Sequence, residues 1–140
     1  MKKKIFATLL TASLATSMLP AANAAVDSGD ASAYLKAINN RPNASSYLVD
    51  FDSDGADELV LVWNGTDQVT EYEVWRGATL LGRGDGGAGG SVFLTEKDGQ
   101  CYLMKDTPIG GDEVIAYFTM RAGTWTLTDN LTSAWYEGIE

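Results

Sequence analysis

Residues Asp50 to Trp63 read Asp-Phe-Asp-Ser-Asp-Gly-Ala-Asp-Glu-Leu-Val-Leu-Val-Trp. The first half is a polar bend and the second a strand. Leu59 to Trp63 is apolar at every position, the pattern of a central strand covered on both faces. Ahead of the bend, Tyr47 to Phe51 alternates, with Tyr47, Val49 and Phe51 on one face. An acidic loop between two such segments makes a hairpin, and that hairpin sets the expectation for the whole chain.

Working outward, Asn64-Gly65 is a turn. Val69 to Arg76 alternates again, with Thr70, Tyr72 and Val74 opposite Glu71, Glu73 and Trp75. Gly77 leads into Thr79 to Leu81. Val92 to Thr95 and Gln100 to Lys105 flank Lys97-Asp98-Gly99, and Glu113 to Met120 and Thr124 to Leu127 flank Arg121-Ala122-Gly123. Both are hairpin signals. About eight strands in four hairpin-like pairs predict a mainly β fold, an antiparallel hairpin meander arranged as a sandwich or as a propeller-like curved sheet. One N-terminal helix joins it. Asp30 can cap it, Ala31, Tyr34, Leu35 and Ile38 make its apolar stripe, and Arg41-Pro42 ends it after Asn39. Gly82 to Gly90 carries six glycines in nine residues. It is expected as a mobile surface loop, or as a segment in close approach to another backbone.

The bend carries the chemistry. Counted from Asp50, carboxylates fall at the first, third and fifth positions (Asp50, Asp52, Asp54). Gly55 takes the sixth, where the chain must turn with positive φ. Ala56 takes the seventh, where a backbone carbonyl suffices, and Glu58 takes the ninth. Asp57 is expected to point outward. Such crowding of negative charge is costly without a cation. A hard ion of flexible coordination fits an all-oxygen set of this kind, which points to calcium held by Asp50, Asp52, Asp54, Ala56 and Glu58, with water completing the shell. A plain solvated turn is the alternative. An EF-hand is excluded, because its twelfth position needs a bidentate glutamate and Leu61 stands there, with strand-like flanks in place of helices.

Asp-x-Asp-x-Asp-Gly-x-x-Glu-Leu between two strands resembles the calcium loops of FG-GAP and VCBS-type β-repeats. The variant ending in Glu-Leu is similar to loops in small exported bacterial proteins, where it follows a short helix and a strand like Tyr47-Leu48-Val49. The loop motif covers ten residues; the looser pattern of helix, loop and hairpins covers most of the chain after residue 24. The resemblance implies calcium at the five positions named above and export from the cell. It implies no defined activity.

The N-terminus has the form of a secretion signal. Lys2, Lys3 and Lys4 precede a mostly apolar stretch from Ile5 to Leu19, and Ala22-Asn23-Ala24 is a small-x-small cleavage site. Residues 1–24 are therefore expected to be a signal peptide and residues 25–140 a single calcium-binding β domain, secreted or at the cell surface, with no membrane span after cleavage. Removing three lysines and no acids takes the formal charge from −9 to −12. That charge disfavours nucleic acid and anionic membrane as partners. Cys101 is the only cysteine, so no internal disulfide can form, and a bound ion can serve as the staple instead. Cys101 itself reads as a small buried hydrophobe.

Catalysis finds little to work with. The chain has no histidine, hence no histidine triad and no His-ligated zinc. The expectation is a binding or adhesion module for a glycan or a protein, not an enzyme. The alternative is a small secreted glycan hydrolase working with a carboxylate pair. Most aromatic rings are expected in the core; Trp75, in phase with Glu71 and Glu73, is the best candidate for exposure, and Trp135-Tyr136 for packing over an open end. Arg83-Gly84-Asp85 spells an integrin-recognition tripeptide within the glycine-rich stretch, where chance is the simpler reading.

Overall fold

The structure is a computed structural model, and it describes residues 28–132. The expected signal peptide and Trp135-Tyr136 lie outside those residues. Helix α1 (Ser28–Asn39) is followed by eight strands: β1 (Ser45–Val49), β2 (Glu58–Asn64), β3 (Thr70–Arg76), β4 (Thr79–Asp85), β5 (Ser91–Lys97), β6 (Gln100–Ile109), β7 (Asp112–Arg121) and β8 (Thr124–Thr132). They form two four-stranded antiparallel sheets, each a simple meander in chain order. The fold is mainly β with one helix, as the alternation and turn signals predict.

The two sheets stack with one core between them. Val49, Val60, Tyr72 and Val74 face inward from β1–β3, and Val92, Leu103 and Met120 face them from β5–β7. Phe51, fully buried, belongs to the same cluster. This is the sandwich arrangement. Period-two alternation produces it directly: the inward set of β3 is Tyr72 and Val74, leaving Glu71, Glu73 and Trp75 for the outer face.

The helix covers part of that outer face. Tyr34, Ala37 and Ile38 pack on Leu48, Leu59 and Leu61, with Trp63 and Trp75 partly buried beside them. Strand β2 is thus apolar on both sides because it has a sheet on one side and α1 on the other. Trp75 is consequently half-buried against the helix cluster and is not an exposed platform; its indole N–H donates to Glu73 Oε2 at 3.1 Å. Periodicity found its face correctly, but nothing in the strand pattern reveals that a helix lies over it.

Three further expectations are corrected. Phe51 lies in the loop, since β1 ends at Val49. Asp30 sits inside the first turn of α1, which begins at Ser28. The glycine-rich stretch is largely ordered: Gly82 to Asp85 continue β4 in register with β3. The other expectation, close approach to another backbone, holds at Gly90, which lies against the Asp106 carbonyl. A β-carbon on Gly82 would collide with the Trp125 ring, and one on Gly90 with the Gly86 carbonyl. Arg83-Gly84-Asp85 therefore lies on a paired strand.

Candidate metal centre

The loop from Asp50 to Asp57 joins β1 to β2 at one end of the first sheet. Its shape is written in its own side chains. The Asp54 amide donates to Asp50 Oδ1 (3.2 Å) and Asp52 Oδ1 (3.4 Å), the Gly55 amide to Asp50 Oδ2 (3.1 Å), and the Ala56 amide to Asp54 Oδ1 (2.8 Å). Aspartates suit this because their short carboxylates reach amides two to five residues on. Gly55 takes φ 91°, as its sixth position requires, and Ser53 also takes a left-handed φ of 59°.

These turns bring three carboxylates together. One oxygen from each of Asp50, Asp52 and Asp54 lies within 4.8 Å of the others. Asp50 and Asp52 are half-buried and Asp54 is exposed, so the group opens to solvent on one side. An oxygen set of this size and charge can hold a hard divalent cation.

Glu58 stands apart from the three. It is fully buried at the start of β2. Its Oε2 accepts the Phe51 amide at 3.1 Å. Its Oε1 accepts both Nε (2.7 Å) and Nη2 (2.5 Å) of Arg76. Burial pushes the Glu58 carboxyl up to about 7, against the opposing pull of the Phe51 amide and the Arg76 guanidinium.

Arg76 is the residue that sequence reasoning missed. Its Nη2 also lies 3.0 Å from Asp52 Oδ2 and 3.3 Å from Asp54 Oδ2. One guanidinium thus serves three of the five residues read from the sequence as ligands, and it supplies part of the positive charge that the bend demands. Its own pKa is raised by these partners. The signal was present in the pairing. Leu59 pairs with Trp75, so the next step along the two strands sets Glu58 across from Arg76, an opposite-charge cross-strand pair.

The loop is also tied to the second sheet. The Phe51 carbonyl accepts Gln100 Nε2 and, at 3.3 Å, Thr119 Oγ1. The Phe51 ring meets Trp125 edge-on at 5.0 Å between centroids. Tyr34 of α1 donates to the Asp57 carbonyl at 2.7 Å. Asp57 is half-buried, and burial and the nearby Asp50 charge raise its pKa, in contrast to the outward placement expected. The carboxylates therefore sit on a bend anchored to α1, β6, β7 and β8.

No family model, no curated protein and no solved structure matches this chain.

Proposed function

We propose that this chain is a calcium-stabilised β-sandwich module whose role is binding. The ion sits on the loop of Asp50, Asp52 and Asp54, with the Ala56 carbonyl and water filling further positions. Glu58 supports the loop from beneath through Phe51 and Arg76, and reaches the ion only if Arg76 gives way. The observation that carries this reading is the meeting of three carboxylates within 4.8 Å on a bend that their own hydrogen bonds shape. The resemblance to FG-GAP and VCBS-type loops supports it, and so does the signal-like stretch from Lys2 to Ala24, since calcium is plentiful outside cells. Sites of this kind in extracellular modules bind with dissociation constants of about 0.1–1 mM. Ion at ten times that constant adds about 1.4 kcal/mol to stability.

The hydrolase alternative gains no support from the carboxylates. Glu58, with its pKa near 7, has the proton affinity of a general acid. Yet it has no solvent exposure, and both its oxygens are taken. A substrate has no path to it.

Isothermal titration and thermal melting with calcium and with chelator test the reading. Calcium should raise the melting temperature, and Asp52→Ala should abolish the response. No uptake at millimolar calcium, or an unchanged response in the variant, rejects it.

A further inference from the structure

The half of the outer face of the first sheet that α1 leaves uncovered is polar, and it forms a cavity of about 310 Å³. Arg41, just beyond the helix, and Trp63, Glu71, Glu73, Arg83 and Asp85 line it. Strand register puts them there: Trp63 pairs with Glu71, Glu71 with Asp85, and Glu73 with Arg83. The cavity lies toward the far end of β2 from the carboxylate loop. Trp63 lies five residue steps along the strand from Glu58, roughly 16 Å.

Two of the six side chains are committed to holding the site. Arg41 Nη2 donates to Glu73 Oε1 at 2.9 Å, and its guanidinium stacks over the Trp63 ring at 4.6 Å. That pair fixes the indole and uses up the Glu73 charge. The other polar groups are open. The side chains of Arg83, exposed, and Glu71, half-buried, make no hydrogen bond or ion pair among the described residues, although a Glu71 carboxylate oxygen lies against Gly65. Asp85 spends one oxygen on the Gly87 amide at 2.8 Å and keeps the other.

We infer that this cavity binds a neutral pyranose unit of a glycan. The open groups are one fork of donors and two carboxylate acceptors beside an indole. Neighbouring hydroxyls of a sugar both donate and accept, so they satisfy Arg83 and the two carboxylates together, beside the Trp63 indole, one face of which Arg41 already covers. The net charge of the open groups is −1, which opposes an anionic ligand, and Arg83 opposes a simple cation. The volume falls at the small end of ligand pockets and suits one sugar unit of a longer chain. The inference rests on the reading of the chain as a binding module and is independent of the calcium loop.

The test is titration of the isotope-labelled protein with neutral cello-, xylo-, manno- and galacto-oligosaccharides, followed by the Trp63 indole N–H resonance. At least one class should shift that resonance saturably. Arg83→Ala and Glu71→Gln should each weaken it about tenfold or more, with melting temperature and calcium response unchanged, because Arg83 is exposed and neither residue holds the loop. Asp52→Ala should lose the calcium response and keep the sugar, so failure of either site is seen separately. The inference is overturned if no neutral saccharide moves the Trp63 signal at millimolar concentration, if binding survives both cavity variants, or if only a uronate or a free amino acid binds.

Discussion

Arg76 and Glu58 face each other at the ends of β3 and β2, with two guanidinium nitrogens on a single carboxylate oxygen at 2.5 and 2.7 Å. The same guanidinium reaches Asp52 and Asp54. A built-in cation therefore underlies the carboxylate bend, and the two halves of the loop differ in how they depend on it. Glu58 is buried and has no water to turn to; Asp54 is exposed and has.

Arg76→Ala leaves Glu58 buried without its partner. Removing one member of a fully buried pair costs about 3–5 kcal/mol; Arg76 is partly exposed and Glu58 can take up a proton, so the cost here should fall below that range. The loss should be greatest in chelator. Calcium, if the loop takes it, supplies positive charge to Asp52 and Asp54 and recovers part of the loss, so the variant should show a larger calcium-dependent rise in urea midpoint than the parent. Equal calcium responses in the two proteins would separate Arg76 from the site.

The raised pKa of Glu58 gives a pH dependence. A carboxyl whose folded pKa lies above its unfolded value binds its proton more tightly in the folded chain. Its stabilising contribution is whole below about 4.5 and fades as the pH rises through about 7. Its size is at most on the order of 3 kcal/mol, at ~1.4 kcal/mol per pKa unit. In chelator, the urea midpoint should fall between pH 5 and pH 8, and Glu58→Gln should flatten that fall. A midpoint that rises with pH over this range, in the parent but not in the variant, reverses the assignment.

Much of this architecture could be read from residue order, and the reasons are local. Alternation in Val69 to Arg76 placed Tyr72 and Val74 on one face and Glu71, Glu73 and Trp75 on the other, and both faces are as expected. The all-apolar run of Leu59 to Trp63 foretold cover on both sides. The acidic spacing foretold the meeting of Asp50, Asp52 and Asp54 and the positive φ at Gly55. What local pattern could not supply was which layer covers which face. Trp75 is half-buried because α1 lies over it, and Trp63 lines a cavity because α1 stops short. Arg76 was hidden for a related reason, since its partners lie eighteen and twenty-four residues away. The expectation of a mobile loop failed because these glycines answer close neighbours and not a need for motion: Gly82 makes room for the Trp125 ring and Gly90 for the Gly86 and Asp106 carbonyls.

That last point makes a prediction for Gly82. Strand β4 passes under Trp125, whose ring stacks on Phe118 at 6.1 Å and meets Phe51 at 5.0 Å. A methyl group at position 82 must push the indole aside, and overpacking of this kind costs about 1–3 kcal/mol. Gly82→Ala should lower the urea midpoint accordingly, whereas Gly99→Ala, with open space around its position, should cost only the strain of its left-handed φ of 77°. A Gly82 variant as stable as the parent would mean that β4 does not run beneath the indole.

Phe51 joins the bend to the core, and its removal tests whether the two are one unit. The ring has no exposure, and its edge meets Trp125. Phe51→Ala should cost about 3–5 kcal/mol through the cavity it leaves. The backbone at the same residue holds three contacts, with its amide on Glu58 and its carbonyl under Gln100 and Thr119. If the ring fixes that backbone, loosening it also loosens the spacing of Asp50 and Asp52 on either side. Phe51→Leu, which keeps most of the buried volume, should then retain most of the stability and still weaken calcium uptake measured by titration. Uptake that follows stability alone, lost in Phe51→Ala and untouched in Phe51→Leu, would mean that the carboxylates keep their positions through their own hydrogen bonds and owe nothing to the ring beneath them.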